Sequence, residues 1–190
     1  MIWELPTEVE LGGTAYEVRT DFRDVLAIIK ELNDPDSCPQ IKYDIALDMF
    51  FFDYEKIPDH LIEDALNELM KFINCGEEES EDRDVRQRFD WDQDGMMIVS
   101  DINKVTGKDI RAEEYMHWWT FVSLFQGIGE GQMSNVIGIR DKLDKGEKLD
   151  KYEQEFYREN KSRVDLKKHY SAEEQAERDR LNRMLSGDFT

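Results

Sequence analysis

Apolar residues recur at three- and four-residue intervals in one segment of this chain after another, and a helical period repeated so often leaves little but packed α-helices as a fold. The cleanest signal lies in 62–73. Ile62, Ala65, Leu66, Leu69, Met70 and Ile73 are in register there, with Pro58 and Asp59 placed to open a helix and Gly76 to end it. Upstream, Thr20 or Asp21 can cap a segment in which Phe22, Val25, Leu26, Ile29 and Leu32 share a face, and Asp34-Pro35 stops it. After Pro39 the stripe is Ile41, Ile45, Met49 and Phe52, widened by Phe50 and Phe51 as in a helix buried on more than one side.

In the second half, Ile98, Ile102 and Val105 form a stripe broken at Gly107, and 115–128 is apolar nearly all round, which predicts the central helix of the core. Gly127, Gly129 and Gly131 precede Met133, Val136 and Ile137; Gly146 leads to a short helix with Leu149, Tyr152 and Phe156. Strand periodicity occurs around Gly12-Gly13, where Val9, Leu11, Tyr16 and Val18 alternate and predict a hairpin over 8–19. The expected fold is therefore mainly α: a helical, bundle-like domain with a small N-terminal β-hairpin and a C-terminal helical extension.

Charge divides the chain. Residues 1–140 carry 31 acids against 13 bases, whereas 141–190 carry 13 against 12. We read 1–140 as an acidic body whose two helical halves are joined by an acidic connector at 77–88, and 141–190 as the extension. A net charge of −19 argues against nucleic acid as a ligand, because phosphate backbones are held by Lys and Arg clusters. It favours a solvated surface over a specific basic partner, although an acidic decoy of basic nucleic-acid-binding proteins remains an alternative. No apolar run is long enough to cross a bilayer, and Met1 to Glu10 do not form a secretion signal. Cys38 and Cys75 stand alone, which suits a reducing compartment.

The sharpest chemical pattern is Asp90-Trp91-Asp92-Gln93-Asp94-Gly95, which matches the first six positions of a calcium loop. The match then fails. Position twelve is the short Asp101 and position nine is Ile98. The simpler reading sets these aspartates at a helix start, where carboxylates meet free N–H groups, with a calcium-binding regulatory module (Asp90, Asp92, Asp94, Asp101) as the alternative. His117-Trp118-Trp119 lacks the basic surroundings of a base-stacking platform. Tyr115, Trp118, Trp119, Phe121, Val122 and Phe125 are expected core residues, and His117 a hydrogen-bonded helix position. No nucleophile, acid–base pair, zinc-ligand spacing or phosphate loop stands out, so no enzyme activity, metal or cofactor is expected.

The last segment is built as a free-standing helix. Ser171 and Glu174 form a capping box, Glu174 with Arg178 and Asp179 with Arg183 are i,i+4 pairs, and Gly187 closes it. Leu181, Met184 and Leu185 give it one apolar side, the expected partner-binding residues on a mobile arm that spans Asp141 to Thr190, with a simple solubilising tail as the alternative.

The residues also carry a resemblance. Phe89-Asp90-Trp91-Asp92-Gln93-Asp94, Gly107-Lys108-Asp109-Ile110, Tyr115-Met116-His117-Trp118-Trp119-Thr120-Phe121 and Ile139-Arg140 resemble a phage family known as "gene product fifteen". Ala46-Leu47-Asp48-Met49-Phe50-Phe51 and Trp3-Glu4-Leu5-Pro6 are similar to it too, so that the likeness runs from Met1 to about Tyr157. Gly95 departs from the family's usual aspartate-rich helix start. The family belongs to temperate siphophages and prophages of Gram-positive bacteria, in the tail gene cluster near the tape-measure gene. The resemblance implies a tail-assembly role in the cytoplasm of the bacterial host, with tail proteins, above all the tape-measure protein, as partners. It carries over no catalytic residue. A homo-oligomer is compatible with it.

Overall fold

A computed structural model describes residues 4–77 and 87–186, with the backbone alone over 183–186. The order is β1 (Glu8–Leu11), β2 (Thr14–Glu17), α1 (Phe22–Leu32), α2 (Pro39–Phe50), α3 (Ile62–Ile73), α4 (Gly95–Thr106), α5 (Trp118–Gln126), α6 (Gln132–Asp144), α7 (Lys151–Val164) and α8 (Ala172–Ser186). Short 3-10 turns at Tyr54–Lys56, Asp59–Leu61 and Ile110–Ala112 link them. The fold is mainly α with a two-stranded N-terminal hairpin, as the periodicity predicts.

The hairpin is antiparallel, with Val9 opposite Tyr16 and Leu11 opposite Thr14. Gly12 and Gly13 both have positive φ, +56° and +81°, the conformation that a two-residue turn between twisted strands needs. Alternation then directs Val9 and Leu11 into the core. Asp21 caps α1 by accepting from the Arg23 N–H at 2.9 Å, and its second oxygen accepts from the Met116 N–H at 3.0 Å, which fastens the start of α1 to the start of α5. Phe22, Val25 and Ile28 are buried along this helix. α3 ends as expected: Gly76, at φ +84°, donates its N–H to the Lys71 carbonyl at 2.8 Å.

On α2 the expected face is the wrong one. Ile41, Ile45 and Phe52 are exposed, while Ala46, Leu47, Phe50 and Phe51 are buried against the core. A helix with apolar residues on several sides does not state which side its neighbours occupy; here Phe50 turns to Phe72 of α3 and Phe51 to Tyr16 of β2. The central helix is also shorter than 115–128. His117 serves as its N-cap, so Tyr115 falls outside the helix and is largely exposed rather than part of the core. Its hydroxyl shares a 2.7 Å hydrogen bond with Thr20. Trp118 and Phe121 are buried, and Trp119, Val122 and Phe125 are half-buried against the same cluster.

The division expected between residues 140 and 141 does not coincide with a structural break. α6 runs straight through it, and α7 folds back on α6 to form a second small cluster of Val136, Ile139 and Val164, flanked by Phe156 and Tyr157. Residues 141–166 thus belong to the body. Most of the connector, 78–86, lies outside the described residues. α8 is different: its capping box forms as expected, Glu174 N–H to Ser171 Oγ at 3.2 Å and Ser171 N–H to Glu174 Oε2 at 3.0 Å, and every described side chain from Ala172 to Asn182 is exposed. Gly187 lies outside the described residues.

Candidate functional site

The acidic loop of residues 90–94 leads directly into α4. Its carboxylates diverge to different partners. Asp90 turns back on its own loop, accepting from the Gln93 N–H at 2.6 Å, with its other oxygen 3.2 Å from His169 Nε2. Asp92 is exposed and pairs with Lys30 of α1 at 2.7 Å. Asp94 is fully buried, and although it stands at the N-cap position of α4 its side chain makes no bond into that helix. It receives Arg140 instead, two parallel bonds of 2.6 and 3.0 Å. Asp101, also buried, accepts from the Met133 N–H at 2.8 Å and so caps α6 from across the fold. A Cβ on Gly131 would sit 2.5 Å from that carboxylate, which is why glycine precedes α6. Among the described residues no group of three metal-capable side chains converges.

Arg140 is the centre of this arrangement. Its remaining N–H groups donate to the carbonyls of Arg88 (3.0 Å), Arg163 (2.8 Å) and Val164 (2.6 Å), so all five guanidinium donors are used. One buried side chain thereby joins the end of the connector, the start of α4, α6 and the end of α7. A buried guanidinium is tolerable only because each donor is satisfied.

The His-Trp-Trp element joins other distant parts, chiefly through apolar packing. The Trp118 and Trp119 indole N–H groups donate to the carbonyls of Ile73 and Phe72, both at 2.9 Å, and so cap the C-terminal end of α3. His117 accepts from the Trp119 N–H through Nδ1 at 3.0 Å, which leaves Nε2–H to donate to the Pro6 carbonyl at 2.9 Å. Burial holds the imidazole below its ordinary pKa. Trp118 stacks near Phe121, which stacks on Phe22 at 4.6 Å, and Trp91 meets Trp118 edge-on at 5.7 Å. These residues lock the fold; their reactive edges are all spoken for.

What the body leaves open is a groove of about 1200 Å³. Half-buried Leu26 and Ile29 of α1, Met49 of α2, and Phe89 and Trp91 form its floor. Exposed Lys30, Asp92, Lys168, His169 and Glu174 form its rim. An apolar floor with a mixed-charge rim suits an amphipathic helix better than a small polar substrate.

A family model described as "Bacteriophage Gp15 protein" matches residues 1–166. The chain belongs to that phage family. Comparison with curated proteins and with solved structures returned no match. The matched span of this Gp15-family protein reaches past Arg163 and Val164, so it includes every partner of Arg140, and it stops short of α8. No helix among the described residues is long and apolar enough to cross a membrane.

Of the residues expected to meet a partner, Leu181 is 52 % exposed on α8, and the side chains of Met184 and Leu185 lie outside the described residues. Sequence reasoning missed Arg140 as a site residue. A signal was available: Met133, Val136, Ile137 and Arg140 sit at i, i+3, i+4 and i+7, so the arginine occupies the apolar face of α6 and must find buried acceptors. It also missed the groove, whose floor is drawn from segments about sixty residues apart.

Proposed function

We propose that this protein is a non-enzymatic tail-assembly factor that chaperones the tape-measure protein in the cytoplasm of the bacterial host, holding an apolar helical stretch of it before tail-tube polymerisation. The observation that carries the reading is the open groove between α1 and residues 87–92, with its apolar floor and charged rim. Membership of a phage family supports the setting. An elongated, helix-rich client offers repeated amphipathic turns, and a groove of this kind takes one such face at a time. Nucleic acid and membrane are not partners in this reading, since the rim mixes lysine and histidine with aspartate and glutamate rather than presenting a basic track.

The test is co-expression with tape-measure fragments. Ala27 is exposed and lines the groove, so Ala27→Glu places a charge and bulk on its wall without emptying the core. Co-purification of the fragment should fall at least about tenfold, roughly 1.4 kcal/mol of binding, with the melting temperature unchanged. Undiminished capture by this variant would sink the groove as the client site.

A further inference from the structure

Among the described residues a second apolar surface stays exposed. On α2, Ile41 and Ile45 face outward one helical turn apart and Phe52 extends the stripe past the helix; they are 56, 38 and 51 % exposed. The stripe is held firmly in place. Ala46, Leu47 and Phe50 anchor the other side of α2, and Arg19 caps its end by donating to the carbonyls of Asp48, Met49 and Phe51 at 2.9–3.1 Å while lying 4.7 Å from the centre of the Phe52 ring.

At the far end of the chain, α8 has the complementary character. Leu181 is exposed on it, and Met184 and Leu185 follow in sequence at helical spacing. Charge matches as well. Residues 39–56 carry four acids and two lysines, whereas 178–183 carry three arginines and one aspartate, a net positive stretch in a chain of −19. The chain's own α8 is not the occupant: it starts beside the α1–α2 loop, where the Ala172 N–H donates to Asp36 at 2.7 Å, and its side chains stay exposed from there to Asn182.

We propose that the Ile41–Ile45–Phe52 stripe receives α8 from a second copy of this chain, with the exchange made reciprocally so that a two-fold dimer closes on itself. Reciprocity covers both apolar surfaces of both copies and leaves no open end to propagate. α8 as a whole carries four acids against three arginines, but its C-terminal half, the part that bears Leu181, holds all three arginines, so that half gains orientation from the acids flanking the stripe. The dimer requires no client and stands or falls independently of the groove.

Sedimentation velocity on the full-length chain, without any tape-measure fragment, tests it. The wild type should sediment with the mass of two chains at micromolar concentration, and Ile45→Glu and Leu181→Glu should each weaken the dimer at least about tenfold. Both positions are exposed, so a wild-type far-ultraviolet circular dichroism spectrum confirms that each variant folds, while any fall in melting temperature reports the lost dimer. In a Cys38→Ser background, mixing Ile45→Cys chains with Leu181→Cys chains should give a disulfide between copies. A monomeric wild type, or a dimer indifferent to either glutamate, overturns the proposal. A monomer whose Ile45→Glu form loses the tape-measure fragment overturns it too, and assigns the stripe to the client.

Discussion

The body is tied together at two places by opposite chemistries. Around Trp118, Phe121 and Phe22, α1 and α5 meet through ring packing, with the indoles of Trp118 and Trp119 also capping α3. Around Asp94 and Arg140, the connector, α4, α6 and α7 meet through one charge pair and three carbonyls. Ring packing loses stability in proportion to the volume removed. A buried ion pair fails as a unit, because either partner alone is an uncompensated charge. The aromatic junction is therefore held by shape, whereas the junction of α4, α6 and α7 adds a charge pair to its small apolar cluster.

The largest effect should come from the aromatic side. Trp118→Ala removes a fully packed ring and an indole hydrogen bond, and should cost near the upper end of roughly 3–5 kcal/mol in urea unfolding. An effect below 1 kcal/mol would show that α5 is not the centre of the core.

Arg140→Met sharpens the contrast. It should destabilise by about 3 kcal/mol or more by stranding Asp94, whereas adding Asp94→Leu should recover a large part of that loss, since an apolar pair can replace a buried ionic one. Equal stability of the single and double variants would mean that the carbonyl contacts, and not the charge pair, hold α7 in place.

A smaller effect separates the two regions by pH. The folded pKa of His117 lies below its unfolded value, so the unfolded chain binds the extra proton; stability is complete above about pH 6.5 and falls as pH drops below it, by at most ~1.4 kcal/mol per pH unit. Thermal melts of His117→Asn, which keeps a cap acceptor, should lose this slope near pH 6. A slope that survives the substitution would place the titrating group elsewhere.

Calcium should do least of all. With Asp94 held by Arg140 and Asp101 by the Met133 N–H, millimolar calcium should leave the melting temperature unmoved, since only an ion that binds the folded state raises it. A rise of several degrees would restore the metal reading of 90–101.

Much of this architecture follows from the sequence alone. The period of 62–73, the glycine pair at the hairpin turn, a cap at Thr20 or Asp21, Gly107 as a helix end and the Ser171–Glu174 box are all local, because each depends on groups within a few residues of one another; the fold then chose Asp21. Trp118 and Phe121 could be assigned to the core on the same grounds. Tertiary structure decided the rest. It turned α2 by half a face, put Tyr115 in solvent, carried α6 and α7 into the body and gave Asp94 and Asp101 partners thirty to fifty residues away. Periodicity records that a helix has an apolar side, but a side chain's partner is fixed by which elements arrive next to it, and that is decided by the packing of the whole chain.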